Sequence, residues 1–174
     1  MNYLKKFIID FKGLSIGDHD FDYEIDDKFF ECFEYSEIKK GDLKVNIALE
    51  KQERMLILNF KINGFVNIIC DRCLEYYKQT ISGEKILIIK SGENKHEETD
   101  EILILPESEY NINVSKYIYE YIVLLLPLKH VHPIDENGNS GCNKDMLEKI
   151  KLLSKKKKYD NRWDALKKIK NNNY

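Results

Sequence analysis

The stretch IICDRCLEYY, residues 68–77, sets Cys70 and Cys73 three positions apart between two runs of strand-forming residues. Two intervening residues let both sulfurs point at one ion about 2.3 Å away, while the amides of a tight turn stabilise the negative sulfurs. The pair is half of a tetrahedral zinc site. The other half has to come from KHVHPIDENGNSGCN (129–143), which carries His130, His132 and Cys142. The gap from His132 to Cys142 is longer than the roughly three to five residues usual between ligands of a finger. Cys70, Cys73, His132 and Cys142 make the ligand set, with His130 as the alternative imidazole. Four protein ligands give a closed structural site, because catalytic zinc keeps one position open for water.

Two other readings of the thiols stand beside this one. A redox C-x-x-C belongs at the N-terminus of a helix in a βαβ setting, where the helix dipole lowers the thiol pKa. Strands flank Cys70 and Cys73 on both sides, although Arg72 between them also favours a thiolate. The third reading is a pair of ordinary unmetallated cysteines. Cys32, among Phe29, Phe30 and Phe33, is expected to be a buried structural thiol.

No enzyme signature accompanies the cysteines. There is no P-loop, no G-x-G-x-x-G after a strand, no H-E-x-x-H and no G-x-S-x-G. Acidic pairs such as Asp26-Asp27 and Glu97-Glu98 lie at a segment boundary and in a polar loop, where they read as solvated surface. His96 falls in the same loop. A non-enzymatic binding protein with no small-molecule substrate is the expectation.

The elements that must position the thiols are mostly strands. Residues 4–11 read as a first strand, and HDFDYEI (19–25) alternates Phe21, Tyr23 and Ile25 on one face. Asp26 or Asp27 caps a short helical segment. DLKVNIALE and MLILNFKI alternate as two further strands joined through KQER, Asn63-Gly64 reads as a hairpin turn, and FVNIIC resumes as the next strand. LEYYKQTISGEKILIIK leaves the thiols as a long strand with a break at Ser82-Gly83, and EILILP (101–106) adds another. The expected sheet is an antiparallel meander of five or six strands.

The period then changes. NINVSKYIYEYIVLLLPL places Val114, Tyr117 or Ile118, Tyr121, Ile122 and Leu125 at helical spacing, with Asn113 as N-cap and Pro127 ending the segment. DMLEKIKLLSKKKK reads as a further helix with Met146, Ile150 and Leu153 on one side, and RWDALKKIK as a short last one capped by Asn161. The fold class is α+β, with one helix packed on the sheet and a helical basic C-terminal tail.

Charge divides the chain in the same place. Residues 144–174 carry eleven Lys or Arg against four acids, while residues 1–143 carry 17 basic and 26 acidic side chains. This gives an acidic α+β domain over 1–143, with its zinc knuckle, and a basic helical tail over 144–174, of a kind drawn to phosphate backbones. No run reaches the roughly 20 apolar residues of a membrane span. The N-terminus lacks a secretory h-region, so the expected compartment is the reducing cytoplasm, where cysteines serve as ligands or plain thiols more often than as disulfides.

The assembled motifs resemble the YceD family, the large ribosomal RNA subunit accumulation proteins. The residues that carry the resemblance are ICDRCLE at 69–75, LLLPLKHVHP at 124–133 with Pro127 and His132, Cys142 in the loop that follows, and RWDALKKIK at 162–170. The resemblance covers nearly the whole chain. It implies a cytoplasmic bacterial protein linked to accumulation of large-subunit ribosomal RNA, hence ribosome biogenesis, and it supplies no catalytic residue. On this expectation Lys155, Lys156, Lys157, Lys158, Arg162, Lys167, Lys168 and Lys170 contact phosphates of ribosomal RNA or a pre-ribosomal particle, and Trp163 either anchors the last helix to the body or stacks on a base. The alternatives are a protein–protein adaptor docking through residues 146–153, and a thiol-redox protein.

Overall fold

A computed structural model describes residues 3–92, 99, 101–136 and 138–154. A 3-10 turn at Tyr3–Phe7 opens the chain. Then come β1 (Ile8–Ile9), β2 (Gly17–Ile25), α1 (Asp27–Glu31), β3 (Lys40–Lys51), β4 (Met55–Ile69), β5 (Tyr76–Ser91), β6 (Ile102–Leu105), β7 (Ile112–Asn113), α2 (Ser115–Leu124) and α3 (Lys144–Ser154). Strands β2 to β6 form one five-stranded sheet in sequence order, and β1 pairs with β7 in a separate two-stranded ribbon. The class is α+β, built on a mostly antiparallel meander.

Period-two alternation decides which face is buried. Val45, Ile47, Leu58, Phe60, Ile62 and Leu87 all point to one side and are at most 1% exposed. Each such side chain contributes about 1.5–3 kcal/mol on leaving water. Helix α2 covers this face. The ring of Tyr121 meets that of Phe60 edge-on at 5.0 Å, and its hydroxyl donates to the carbonyl of Ile86 at 3.4 Å. Gly83 makes the close approach of the helix end feasible, since a Cβ there would lie 2.4 Å from the Leu125 side chain. Helix α1 closes the other end with Phe29 and Phe30, and Asp26 caps it by accepting from the Phe29 amide. The opposite face of the sheet is open and mixed, with charged pairs such as Lys61–Glu84 at 3.7 Å and exposed apolar side chains such as Ile69, Tyr76 and Ile86.

Several expectations need correction. Asn63-Gly64 is no hairpin turn: both lie inside β4, a single strand of 15 residues. Gly64 has φ +148°, and a Cβ there would lie 2.2 Å from the carbonyl oxygen of Asp42 on β3, so the glycine serves a close backbone crossing. No break occurs at Ser82-Gly83, because β5 runs through it. β6 pairs with β5 in parallel. The first segment is mostly a 3-10 turn rather than a strand. Cys32 is exposed and its Sγ donates to the carbonyl of Lys28 at 3.2 Å, because α1 turns Phe29 and Phe30 inward. The N-cap of α2 is Val114, not Asn113; Asn113 precedes it and accepts from the Ser115 amide at 3.0 Å. His96, Trp163 and the basic residues 155–170 lie outside the described residues. Among those described, no helix is long and apolar enough to cross a membrane.

Candidate metal centre

The thiol pair sits in the turn that joins β4 to β5. The Cys70 amide donates to the Glu75 carbonyl at 2.9 Å, and the Leu74 amide to the Cys70 carbonyl at 2.9 Å. This tight reversal needs one residue in the left-handed region, and Leu74 takes it at φ 61°. The Arg72 amide points at Cys70 Sγ from 3.5 Å. The turn therefore presents an amide to a sulfur, which favours the thiolate.

The second half of the site depends on how the chain returns from His132 to Cys142. Ile134 and Ser140 form an antiparallel bridge. Between them the Asp135 amide donates to the Asn139 carbonyl at 2.9 Å, and Asp135 Oδ1 accepts from the Asn139 amide at 2.6 Å. Gly138, at φ 79°, supplies the reversal. The long spacer folds back on itself, and the two ligands emerge side by side. Asn143 then caps α3 by accepting from the amides of Asp145 and Met146, while its Nδ2 donates to Glu75 of the thiol turn at 2.8 Å.

Four donor atoms converge. Those of Cys70, Cys73, His132 and Cys142 all lie within 4.8 Å of one another. Cys70 Sγ is 3.7 Å from Cys142 Sγ, and His132 Nδ1 is 3.5 Å from Cys73 Sγ and 3.6 Å from Cys142 Sγ. A tetrahedron with Zn–S of about 2.3 Å and Zn–N of about 2.0–2.1 Å has S···S edges of about 3.8 Å and S···N edges of about 3.6 Å. These three edges match. All three sulfurs are buried, and soft thiolates with one imidazole suit zinc.

The electrostatics agree. Burial pushes the Cys70 thiol up, but the amides of Cys73 and Arg72 together with His132 outweigh it and bring the group down to about 6. Beside Cys142 the Ser140 hydroxyl favours the thiolate, while burial and the two neighbouring sulfurs prevail and raise that thiol. Tyr77, raised by burial and then by the charges of Cys70 and Asp71, lays its ring 4.9 Å from that of His132.

The structure thus brings together all four residues of the expected ligand set. His130 is not among the donors; it contributes backbone, its amide donating to Asp71 Oδ2 at 2.8 Å. The pair lies in a turn between two strands rather than opening a helix of its own, as a thioredoxin-like C-x-x-C does. Asp71, Glu75 and Asn143, which tie the two loops together, carried no sequence signal beyond adjacency to the cysteines.

A family model described as "Large ribosomal RNA subunit accumulation protein YceD" matches residues 58–170, from mid-β4 through both ligand loops to the basic end. No curated protein and no solved structure matches the chain.

Proposed function

The chain belongs to the YceD family, and from that membership we propose a non-enzymatic, cytoplasmic ribosome-biogenesis factor that supports accumulation of large-subunit ribosomal RNA. The observation that carries this reading is the extent of the family match, which takes in the thiol turn, the histidine–cysteine loop and the C-terminal segment together. In this reading zinc held by Cys70, Cys73, His132 and Cys142 is structural. It locks the β4–β5 turn of the 1–143 body to the loop that leads into the 144–174 tail. Lys155, Lys156, Lys157, Lys158, Arg162, Lys167, Lys168 and Lys170 then contact phosphates of ribosomal RNA or of a pre-ribosomal particle, each neutralised phosphate adding about 0.7 to the salt slope on single strands.

Co-sedimentation with precursor large subunits tests the assignment. The chain is expected to travel with the particles at low salt and to leave them steeply as salt rises. A chain that stays free of the particles at low salt overturns it.

The second reading is a protein–protein adaptor. It draws on α3, where Leu152 and Leu153 are 65% and 71% exposed while Met146 and Leu147 pack on the core. Removing residues 144–174 separates the two: the RNA reading expects loss of binding to naked RNA, and the adaptor reading expects loss only on whole particles.

A further inference from the structure

The face of the sheet not covered by α2 is chemically two-sided. Along the edge strand β2 it presents Asp18, Asp20, Asp22 and Glu24, all exposed. At the end next to the thiol turn the character reverses. The register sets Lys40, Asn67 and Lys78 in one row, Asp42, Phe65 and Thr80 in the next, and Ile69 beside Tyr76 at the rim. Tyr76 is 62% exposed and Ile69 44%. Lys78 lies over the Phe65 ring, 4.5 Å from its centroid. The Asn67 Oδ1 in this patch is the buried side-chain polar atom that, among the described residues, lacks a hydrogen-bond partner.

We propose that this end of the open face is a platform for single-stranded RNA, on which Tyr76 and Phe65 stack bases while Lys40, Lys44 and Lys78 take the phosphates. The inference rests on the ribosomal-RNA reading above and locates a binding surface within the folded body rather than in the tail. Charge complementarity selects the occupant. At this end of β3, β4 and β5 Lys40, Lys44 and Lys78 outnumber Asp42, with Glu24 of β2 opposite Lys44, and the rest of the acidic edge strand repels a polyanion, so the RNA strand is confined to the thiol-turn end. The exposed ring of Tyr76, with the half-buried Phe65 ring beside it under Lys78, suits unstacked bases, since every base offers a π-face, whereas a duplex keeps its bases inside. The metal centre fits the same purpose: it fixes the turn from which Tyr76 emerges, six residues after Cys70.

Fluorescence anisotropy of the full chain tests this, with a labelled single-stranded oligoribonucleotide of about ten residues and a duplex of equal length. Tyr76→Ala is expected to weaken single-strand binding about 5- to 100-fold, and Tyr76→Phe to bind as the parent does. Replacing Lys40 and Lys78 by Gln should weaken binding and lower the salt slope by roughly 1–2. Equal affinity for duplex, or indifference to Tyr76→Ala, overturns the platform. Replacing Lys155–Lys158 by Gln interrogates the tail separately: a loss there with Tyr76→Ala unaffected overturns the platform and leaves the tail reading standing. A Tyr76→Ala chain that loses pre-ribosomal particles but binds naked RNA normally marks the face as a protein-docking surface and also overturns it. A parent that binds neither RNA overturns both.

Discussion

Asp71 and His130 hold each other twice. The Asp71 amide donates to the His130 carbonyl at 2.7 Å, and the Asp71 carboxylate accepts from the His130 amide at 2.8 Å. The thiol turn and the histidine loop are thereby docked through backbone whether or not a cation lies between them. The double bond uses the side chain of Asp71 but only the main chain of His130.

Substitution should read out that asymmetry. Asp71→Ala removes a support of the ligand loop and is expected to weaken metal affinity about 10- to 100-fold, at a cost of about 1–2 kcal/mol in stability. His130→Ala should leave affinity unchanged, whereas His132→Ala should abolish stoichiometric binding. Competition against a zinc indicator measures all three. Equal losses from His130→Ala and His132→Ala would show that the wrong imidazole has been assigned.

Metal removal makes a second expectation. Cys70, Cys73 and Cys142 are buried while Cys32 is exposed, so a native thiol titration of the loaded chain should find one fast-reacting sulfur, and chelation should release the other three. A ligand at a thousandfold excess over its Kd stabilises by about 4 kcal/mol, so chelation should lower Tm by roughly 10 °C. Hydrogen exchange should rise in 70–75 and 128–143, with β3 and the centre of β4 protected. Elemental analysis with no zinc, or four thiols equally reactive from the start, would remove the centre.

The ligand set was legible because chemistry constrains it: few residue types bind zinc, and C-x-x-C between strands leaves the sulfurs little choice. The meander was legible because Val45, Ile47, Leu58 and Phe60 alternate with polar neighbours. What escaped is what depends on a second strand or helix. Asn63-Gly64 has the local preference of a turn, yet the close crossing over Asp42 that requires the glycine is a tertiary fact. The parallel pairing of β6 depends on the path of the chain between Ser91 and Ile102, and the exposure of Cys32 on which side of α1 faces the core. The fold-back from Ile134 to Ser140, which lets a long spacer deliver adjacent ligands, became visible only as a backbone bridge.

Gly64 offers a direct test of that point. A methyl group there would sit 2.2 Å from one backbone atom and 2.6 Å from another, and the φ of +148° is itself unsuited to an L side chain. Gly64→Ala should therefore cost more than about 2 kcal/mol, measured as a lower urea midpoint at unchanged slope. If the residue were merely a turn glycine in open space, the loss would stay within the roughly 1–2 kcal/mol of a left-handed L-residue.

Acid sensitivity should appear at Asp26. Burial pushes its carboxyl up, but the Tyr3 hydroxyl, the Phe29 amide and the charges of Lys6 and Lys28 outweigh it, so the folded-state value lies below the ordinary one. The unfolded chain then takes up the proton first as pH falls. The stabilisation is complete above about pH 4 and is lost as pH drops through the folded-state value. Asp26→Ala should cost about 1 kcal/mol at neutral pH, the usual worth of an N-cap. Its Tm deficit should shrink toward zero in strong acid, and a constant deficit across the range would mean that charge plays no part.

Leu74 is the described non-glycine residue with positive φ, at 61°, and its side chain is 67% exposed. A left-handed L-residue costs about 1–2 kcal/mol, and no burial of this leucine offsets it. Leu74→Gly relieves that strain and gives back about 0.5–1 kcal/mol through the greater freedom of the unfolded chain, for a net gain of about 0.5–1 kcal/mol. In a chain of this length the gain should raise Tm by about 1–4 °C, with zinc stoichiometry unchanged. Leu74→Val, whose branched side chain tolerates positive φ worst, should move Tm the other way. If both substitutions left Tm where it is, the turn would not be held in the left-handed geometry that aims Cys70 and Cys73 at a common point.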